Sequence, residues 1–118
     1  MAPDSFRRLA LRLPEASEGS HLGTTDFRVR GKIFATLGGG GVNGRAVVKL
    51  TAAQQEMFLH LDAQAFAPVS GAWGGKGWTW LHLRDAKEAL VRDALLAAWR
   101  NVAPKRLAAQ MDRGSGNE

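Results

Sequence analysis

The sequence has 118 residues, the length of one small globular domain, and 45% of them are hydrophobic, which is enough to form a core. It contains no cysteine, which excludes disulfide bonds, thiolate metal sites and a cysteine nucleophile. Lysine and arginine outnumber aspartate and glutamate by 16 to 11, and most of the excess lies in residues 1–50, with eight basic and four acidic side chains. The net charge of +5 favours a polyanionic partner such as DNA, although many proteins without such a partner carry a similar charge.

No segment of the sequence predicts insertion into a membrane. None approaches the roughly 20 apolar residues that a membrane-spanning helix needs. Arg7, Arg8 and Arg12 interrupt the apolar residues near the N-terminus, a pattern unlike that of a secretory signal. We therefore expect a cytoplasmic protein with no membrane partner, and the lack of cysteine fits a reducing compartment.

The first half of the chain predicts one helix followed by four strands. The helix covers residues 4–13, where apolar residues recur at helical spacing until Pro14 ends it. Four short segments separated by turn residues then predict strands: residues 18–22, 25–30, 33–37 and 45–50. Gly31 and Lys32 predict a two-residue hairpin turn, and the glycine-rich residues 38–44 predict a longer hairpin loop. Consecutive hairpins predict an antiparallel sheet.

A second helix begins after this sheet. Thr51 and Gln54 have the spacing of a capping box, in which the two side chains satisfy each other's backbone amides. Ala53, Met57 and Leu61 recur at a spacing of four residues and share one face of the predicted helix.

An irregular stretch, a fifth strand and two further helices complete the chain. Residues 63–76 are rich in glycine and predict irregular structure, and residues 78–83 predict the strand. Asp85 predicts the start of a long helix, and a short helix over residues 105–111 follows it. The predicted buried stripe of the long helix comprises Val91, Leu95, Ala98 and Val102.

These elements predict an α+β fold, in which an antiparallel sheet of about five strands packs on helices. We expect a single domain over residues 1–111. Residues 112–118 are polar and contain glycine, and we expect them to form a disordered tail.

Four pieces of the chain resemble the MmcQ/YjbR-like family. They are LP at residues 13–14 with EG at 18–19, FRVRGKIFA at 27–35, VKL at 48–50 and WTWLHL at 78–83. The hairpin and the tryptophan strand together are more specific than either alone. The resemblance implies a fold similar to that of CyaY. It also implies the family's assignment to DNA binding through a double-wing motif.

Alternation along the strands predicts a basic outer face of the sheet, since the apolar set of each strand is expected to meet the helices. The outward side chains are Arg28, Arg30, Arg45 and Lys49, with Lys32 beside them at the hairpin tip. Such a face would neutralise phosphates with release of counterions, and a merely solvated face is the alternative. Ile33 and Leu37 are predicted on the same face, where they favour a partly apolar protein-binding surface instead.

The four tryptophans divide between candidate contacts and the core. Trp73 lies in a glycine-rich segment where an aromatic ring can stack on a base, and Lys76 follows it. Trp78 and Trp80 share one face of the fifth strand, and packing against a helix or closure of a sheet edge is the favoured role for them. Trp99 is predicted to lie in the core.

The sequence predicts no catalytic residues, no metal and no cofactor. Residues 39–44 match G-x-G-x-x-G, but a dinucleotide site needs a helix after this motif and a strand is predicted here. His21, His60 and His82 are isolated and lack the spacing of metal ligands. We therefore do not expect an enzyme.

The first functional hypothesis is non-enzymatic binding of DNA or another polyanion through the basic face and the hairpin wings. The predicted contacts are Arg28, Arg30, Lys32, Arg45, Lys49, Trp73 and Lys76. The alternatives are a protein-interaction module that uses the same face, and a small-ligand-binding protein or enzyme with a pocket near His21, His82 and the Trp73 loop. The sequence does not determine the oligomeric state.

Overall fold

A sheet of six strands forms the centre of the molecule. The computed structural model describes residues 1–38 and 44–116, with the backbone alone for residues 113–116. Within these ranges the elements are α1 Pro3–Leu11, β1 Ala16–His21, β2 Thr24–Val29, β3 Lys32–Leu37, β4 Arg45–Lys49, α2 Ala52–Leu61, β5 Phe66–Pro68, α3 Ala72–Gly75, β6 Trp78–His82, α4 Glu88–Val102 and α5 Lys105–Gly116. The strand order is β1-β2-β3-β4-β6-β5, and all neighbours are antiparallel. The predicted α+β class is confirmed, with one strand more than expected.

Helix α4 covers the middle of the sheet, where it contacts β3 and β4. Its predicted stripe is confirmed, since the following side chains are buried: Val91, Leu95, Ala98 and Val102. Trp99 is also buried, and its indole N–H donates a hydrogen bond of 3.0 Å to the Pro14 carbonyl. Full burial of an aliphatic or aromatic side chain contributes about 1.5–3 kcal/mol, so this helix organises the core. It begins at Glu88, three residues after the expected cap at Asp85, and no side chain caps it.

No helix in the described ranges is long and apolar enough to cross a membrane. The longest of them, α4, has 15 residues.

Helix α2 is positioned by its capping box and by Phe58. Thr51 and Gln54 exchange two hydrogen bonds of 3.1 and 2.9 Å, which confirms the box. Phe58 packs against Phe66 of β5 with ring centroids 5.0 Å apart. The apolar stripe predicted from helical spacing is exposed instead, at Ala53, Met57 and Leu61. Phe58 takes the buried position of α2, where it packs against Phe66 of β5.

The stretch predicted to be irregular, residues 63–76, contains a strand and a short helix. β5 pairs with β6, and Phe66 lies opposite Leu81. Pro68 is tolerated in β5 because this strand forms the edge of the sheet. A three-residue strand has too little sequence signal of its own, so its formation depends on the neighbouring strand β6.

A β-bulge in β3 changes which residues face the helices. The pairing between β2 and β3 shifts by one residue after Phe27, and Phe34 is the extra residue. Ile33 therefore lies opposite Arg28 on the outer face, whereas Leu37 packs against the core. The prediction that Ile33 and Leu37 share the outer face is wrong, because one inserted residue reverses the alternation.

The hairpin between β2 and β3 turns one residue earlier than predicted. Arg30 and Gly31 form the two-residue turn, with φ angles of 52° and 81°. Two positive φ angles are the signature of a type I′ turn, whose twist matches that of the strands. Lys32 consequently belongs to β3, and Arg30 leaves the strand in which alternation had placed it.

Candidate functional site

The face of the sheet turned away from α4 carries charged and aromatic side chains, and we call it the open face. It comprises Asp26, Arg28, Ile33, Thr36, Arg45, Val47, Lys49, Trp78, Trp80 and His82. The ladder aligns one row across four strands, consisting of Asp26, Thr36, Val47 and Trp80. The predicted outward positions of β4 and β6 are confirmed, because the residues that alternate with them along each strand are buried.

The register between β4 and β6 places cations over indoles. Lys49 lies directly opposite Trp78, and its ammonium is 5.6 Å from the ring centroid. Arg45 is diagonal to Trp80, and its Cζ atom lies 3.4 Å from the centre of that ring. Both distances fall within the range of cation–π attraction. Cross-strand neighbours at these positions are within reach of long side chains, so the pairing itself creates the two contacts.

A third tryptophan joins the same surface from α3. Trp73 is 60% exposed, and its ring meets Trp78 edge to face at 5.9 Å. Lys76 lies over Trp73 at 5.7 Å. The short helix is held in place by Gln55, whose side-chain amide donates to the backbone carbonyls of Gly74 and Trp78. An exposed aromatic ring is therefore displayed on a fixed element.

These side chains enclose a shallow, mainly apolar hollow of about 380 Å³. Its lining comprises His21, Ile33, Thr36, Val47, Val69, Trp73, Trp78 and Trp80. The volume is in the range of small-ligand sites, and Lys49 and Lys76 lie over two of its indoles. The hollow offers flat aromatic surface with positive charge beside it.

Arg28 lies on the open face as predicted, but its charge is already neutralised. Its guanidinium donates two hydrogen bonds, of 2.7 and 3.0 Å, to the buried carboxylate of Asp26. These bonds, together with the negative charge of Asp26, raise the pKa of Arg28. Gly19 on β1 leaves room for the pair, since a Cβ atom there would lie 2.9 Å from a carboxylate oxygen of Asp26.

Arg30 and Lys32 do not join the open face, which corrects their predicted placement. Arg30 sits in the turn, where its guanidinium donates to Glu15 at 2.6 and 3.1 Å. The hydrogen bond and the charge of Arg30 lower the pKa of Glu15. Lys32 pairs with the buried Val29 and so lies on the helix side of the sheet. Both displacements follow from the turn, which is one residue earlier than alternation suggested.

Of the seven predicted contacts, the structure brings four together around the hollow: Arg45, Lys49, Trp73 and Lys76. The three cations among them, Arg45, Lys49 and Lys76, have no carboxylate within salt-bridge distance in residues 1–38 and 44–112. Trp78 and Trp80 lie on the open face, away from the core side of β6, and Trp78 also packs against α3 through the ring of Trp73.

The glycine run of residues 39–44 falls, except for Gly44, outside the described residues. In the part of the chain that the structure describes, no three histidine, aspartate or glutamate side chains are grouped as metal ligands would be.

Comparison with known proteins agrees with the fold. The YjbR family model matches residues 11–101. The chain belongs to the YjbR family. The crystal structure of Deinococcus radiodurans protein DR2400, which has a DUF419 domain, is similar, with a TM-score of 0.73 and 20% identity over 88% of this chain and 80% of that one. No curated protein matches the sequence. The resemblance seen in the hairpin and the tryptophan strand is thereby confirmed, and the likeness to DR2400 supports the shared fold.

Proposed function

We propose that this YjbR-family protein binds nucleic acid through the open face of its sheet and catalyses no reaction. The observation that supports this most directly is the set of three cations, Arg45, Lys49 and Lys76, each positioned over an indole. No carboxylate in the described part of the chain neutralises them. A phosphate backbone supplies the negative charge that this surface lacks.

The proposed binding is mainly electrostatic and weakly selective for sequence, because long cations contact phosphates while flat rings accept any base. Arg28 contributes less than the uncompensated cations, since Asp26 already occupies its guanidinium. Arg30 is likewise held by Glu15, and Lys32 lies on the other side of the sheet. The interface is therefore centred on β4, β6 and α3, away from the β2–β3 hairpin.

Charge reversal at Lys49 tests the location of this interface. We expect Lys49→Glu to weaken oligonucleotide binding about tenfold at low salt, because it removes one phosphate contact and adds repulsion. Fluorescence anisotropy with labelled single- and double-stranded oligonucleotides at about 50 mM and about 200 mM salt measures the effect. Thermal unfolding by circular dichroism confirms that the variant is folded.

Lys32→Glu is the matched control, since it makes the same change of charge in a neighbouring strand but on the helix side of the sheet. Its affinity should stay within about twofold of the unchanged protein, because an exposed charge on the other side of the sheet makes no phosphate contact and is largely screened by salt. Equal losses in the two variants would place the interface elsewhere. No binding at low salt would remove the proposed function.

A protein partner on the same face is the second candidate. The observation in its favour is the apolar floor of the hollow, to which Ile33, Val47 and Val69 contribute. Burial of this floor would make binding insensitive to salt, in contrast to phosphate contacts. Size-exclusion chromatography with light scattering and a pull-down at about 200 mM salt distinguish the two. Self-association or capture abolished by Ile33→Ser, without nucleic-acid binding, would favour the protein partner.

A further inference from the structure

The open face offers two kinds of flat surface to a ligand, and both are held in place before any ligand arrives. Trp73 projects from α3, whose backbone is fastened by Gln55, and it is supported at its side by Trp78. Gly74 lets the backbone of α3 lie close to that of Val69, because a Cβ atom on residue 74 would lie 1.8 Å from the Val69 carbonyl oxygen. The exposed ring is thus a preformed stacking surface.

The second flat surface is the guanidinium of Arg45, stacked on Trp80 at 3.4 Å. Its Nε atom is buried and has no hydrogen-bond partner among the described residues. The indole ring, and not an acceptor, therefore fixes the plane of this cation. Guanidinium planes stack on unpaired bases in nucleic-acid complexes, as aromatic rings do. The Arg45–Trp80 stack places a flat cation beside the hollow.

The charges around the hollow restrict the chemistry of that ligand. An aromatic cage for a cation, such as a methylated lysine, presents bare indole faces to it. Here the protein's own cations already lie over Trp73, Trp78 and Trp80. A cationic ligand would be repelled, whereas a flat ligand that carries phosphate finds both stacking surface and positive charge.

A base inside a duplex cannot reach this hollow, because both of its faces are stacked on neighbouring base pairs. An unpaired base has free faces, and its phosphate lies one sugar away, which suits rings and cations that are neighbours on one sheet. Charge alone would not distinguish the two forms, since both present a line of phosphates.

We propose that the open face binds an unpaired nucleobase against Trp73 and the Arg45–Trp80 stack, so that the protein prefers single strands to duplexes. This proposal rests on the proposed function and names the form of nucleic acid that the site takes. Lys49 and Lys76 hold the flanking phosphates, and the apolar floor receives the edge of the base.

The test compares three fluorescein-labelled DNAs of about 12 nucleotides: a single strand, its duplex, and a single strand of abasic sites with the same phosphates. We expect the single strand to bind at least about fivefold more tightly than the abasic strand and the duplex. Trp73→Ala should weaken binding of the base-containing single strand by about 5-fold to about 100-fold, the range measured for loss of one stacking ring. It should leave the affinity for the abasic strand unchanged.

A second measurement does not depend on this variant being fully folded. Titration of the unchanged protein with a nucleoside monophosphate should quench part of its tryptophan fluorescence, whereas inorganic phosphate and ribose 5-phosphate should not. Buried Trp99 provides the unquenched remainder. Equal affinity for the base-containing and abasic strands would overturn the unpaired-base proposal while leaving nucleic-acid binding intact. Absence of binding to all three DNAs at low salt would overturn both.

Discussion

Glu15 and Arg30 show how a single ion pair supports an uncommon backbone conformation. Both residues have positive φ angles, 56° and 52°, which side chains other than glycine rarely adopt. They are neighbours because Ala16 and Val29 pair in the ladder between β1 and β2. The two hydrogen bonds between their side chains join the start of β1 to the β2–β3 turn. The pair stabilises the hairpin and withdraws Arg30 from any phosphate.

The lowered pKa of Glu15 makes this pair sensitive to acid. A carboxylate whose pKa falls on folding contributes stability that is complete above its ordinary pKa of 4.5 and disappears as the pH falls through the lowered pKa. We expect Glu15→Gln to have a slightly lower melting temperature than the unchanged protein at pH 7, and the difference to vanish in acid. Thermal unfolding at a series of pH values from 7 downward measures it. Glu56→Gln serves as the control, because Glu56 has no ion pair in the described ranges. A difference that grew in acid would contradict the prediction.

Among the elements, α3 links the edge of the sheet to the open face. It has only four residues, yet its backbone lies against the loop after β5 and against β6. Gly77, with a φ angle of 101°, follows it and lets the two backbones approach closely, because a Cβ atom on residue 77 would lie 1.9 Å from the Leu50 carbonyl oxygen. Close contacts between backbones replace the side-chain packing that a longer helix would use. The position of Trp73 is therefore set by glycine.

Two adjacent glycines in α3 provide a matched test of this arrangement. Gly74→Ala should destabilise the protein by about 1–3 kcal/mol, because its Cβ atom would overlap the Val69 carbonyl oxygen and the helix must move. Gly75→Ala meets nothing within 4 Å and should change the free energy of unfolding by no more than about 0.5 kcal/mol. Urea denaturation followed by tryptophan fluorescence gives both values. Similar effects of the two substitutions would show that α3 is not packed as described.

Over the whole molecule, the distribution of charge matters more than its sum. The net charge is +5, but several arginines are already paired with carboxylates, in α1, on the open face and in the turn. The uncompensated cations of the open face gather on the side opposite α4, where the stacking rings also lie. The structure thus groups Arg45, Lys49 and Lys76 beside the exposed rings, a grouping that the composition does not reveal.

The salt dependence of binding reports how many of these cations contact phosphate. With three contacts, from Arg45, Lys49 and Lys76, the logarithm of the affinity for single strands should fall with the logarithm of the salt concentration at a slope of about −2. Lys49→Glu should reduce the slope by about 0.7. Anisotropy titrations over a range of salt concentrations provide both slopes. A slope steeper than about −4 would require a larger interface than the open face.

Several features of the fold and of the site could be predicted from local sequence. The capping box of α2, the buried stripe of α4 and the outward alternation of β4 and β6 depend on residues close together in the chain. The family could also be predicted, since FRVRGKIFA and WTWLHL are each an unbroken stretch of the sequence. Arg45 and Lys49 were placed correctly for the same reason, because periodicity two holds throughout a regular strand.

The tertiary structure alone decided the remaining features. Phe34 forms a bulge because the register between β2 and β3 shifts by one residue. This shift places Ile33 and Leu37 on opposite faces of the sheet. Glu15, in the chain before β1, neutralises Arg30 because β1 pairs with β2, a result of folding that no spacing rule contains. The meeting of Trp78 with Lys49 and of Trp80 with Arg45 depends on β4 pairing with β6, strands separated by two helices and another strand. Periodicity assigns a side chain to one side of its own strand, but which charges and rings become its neighbours is determined only by the register between strands.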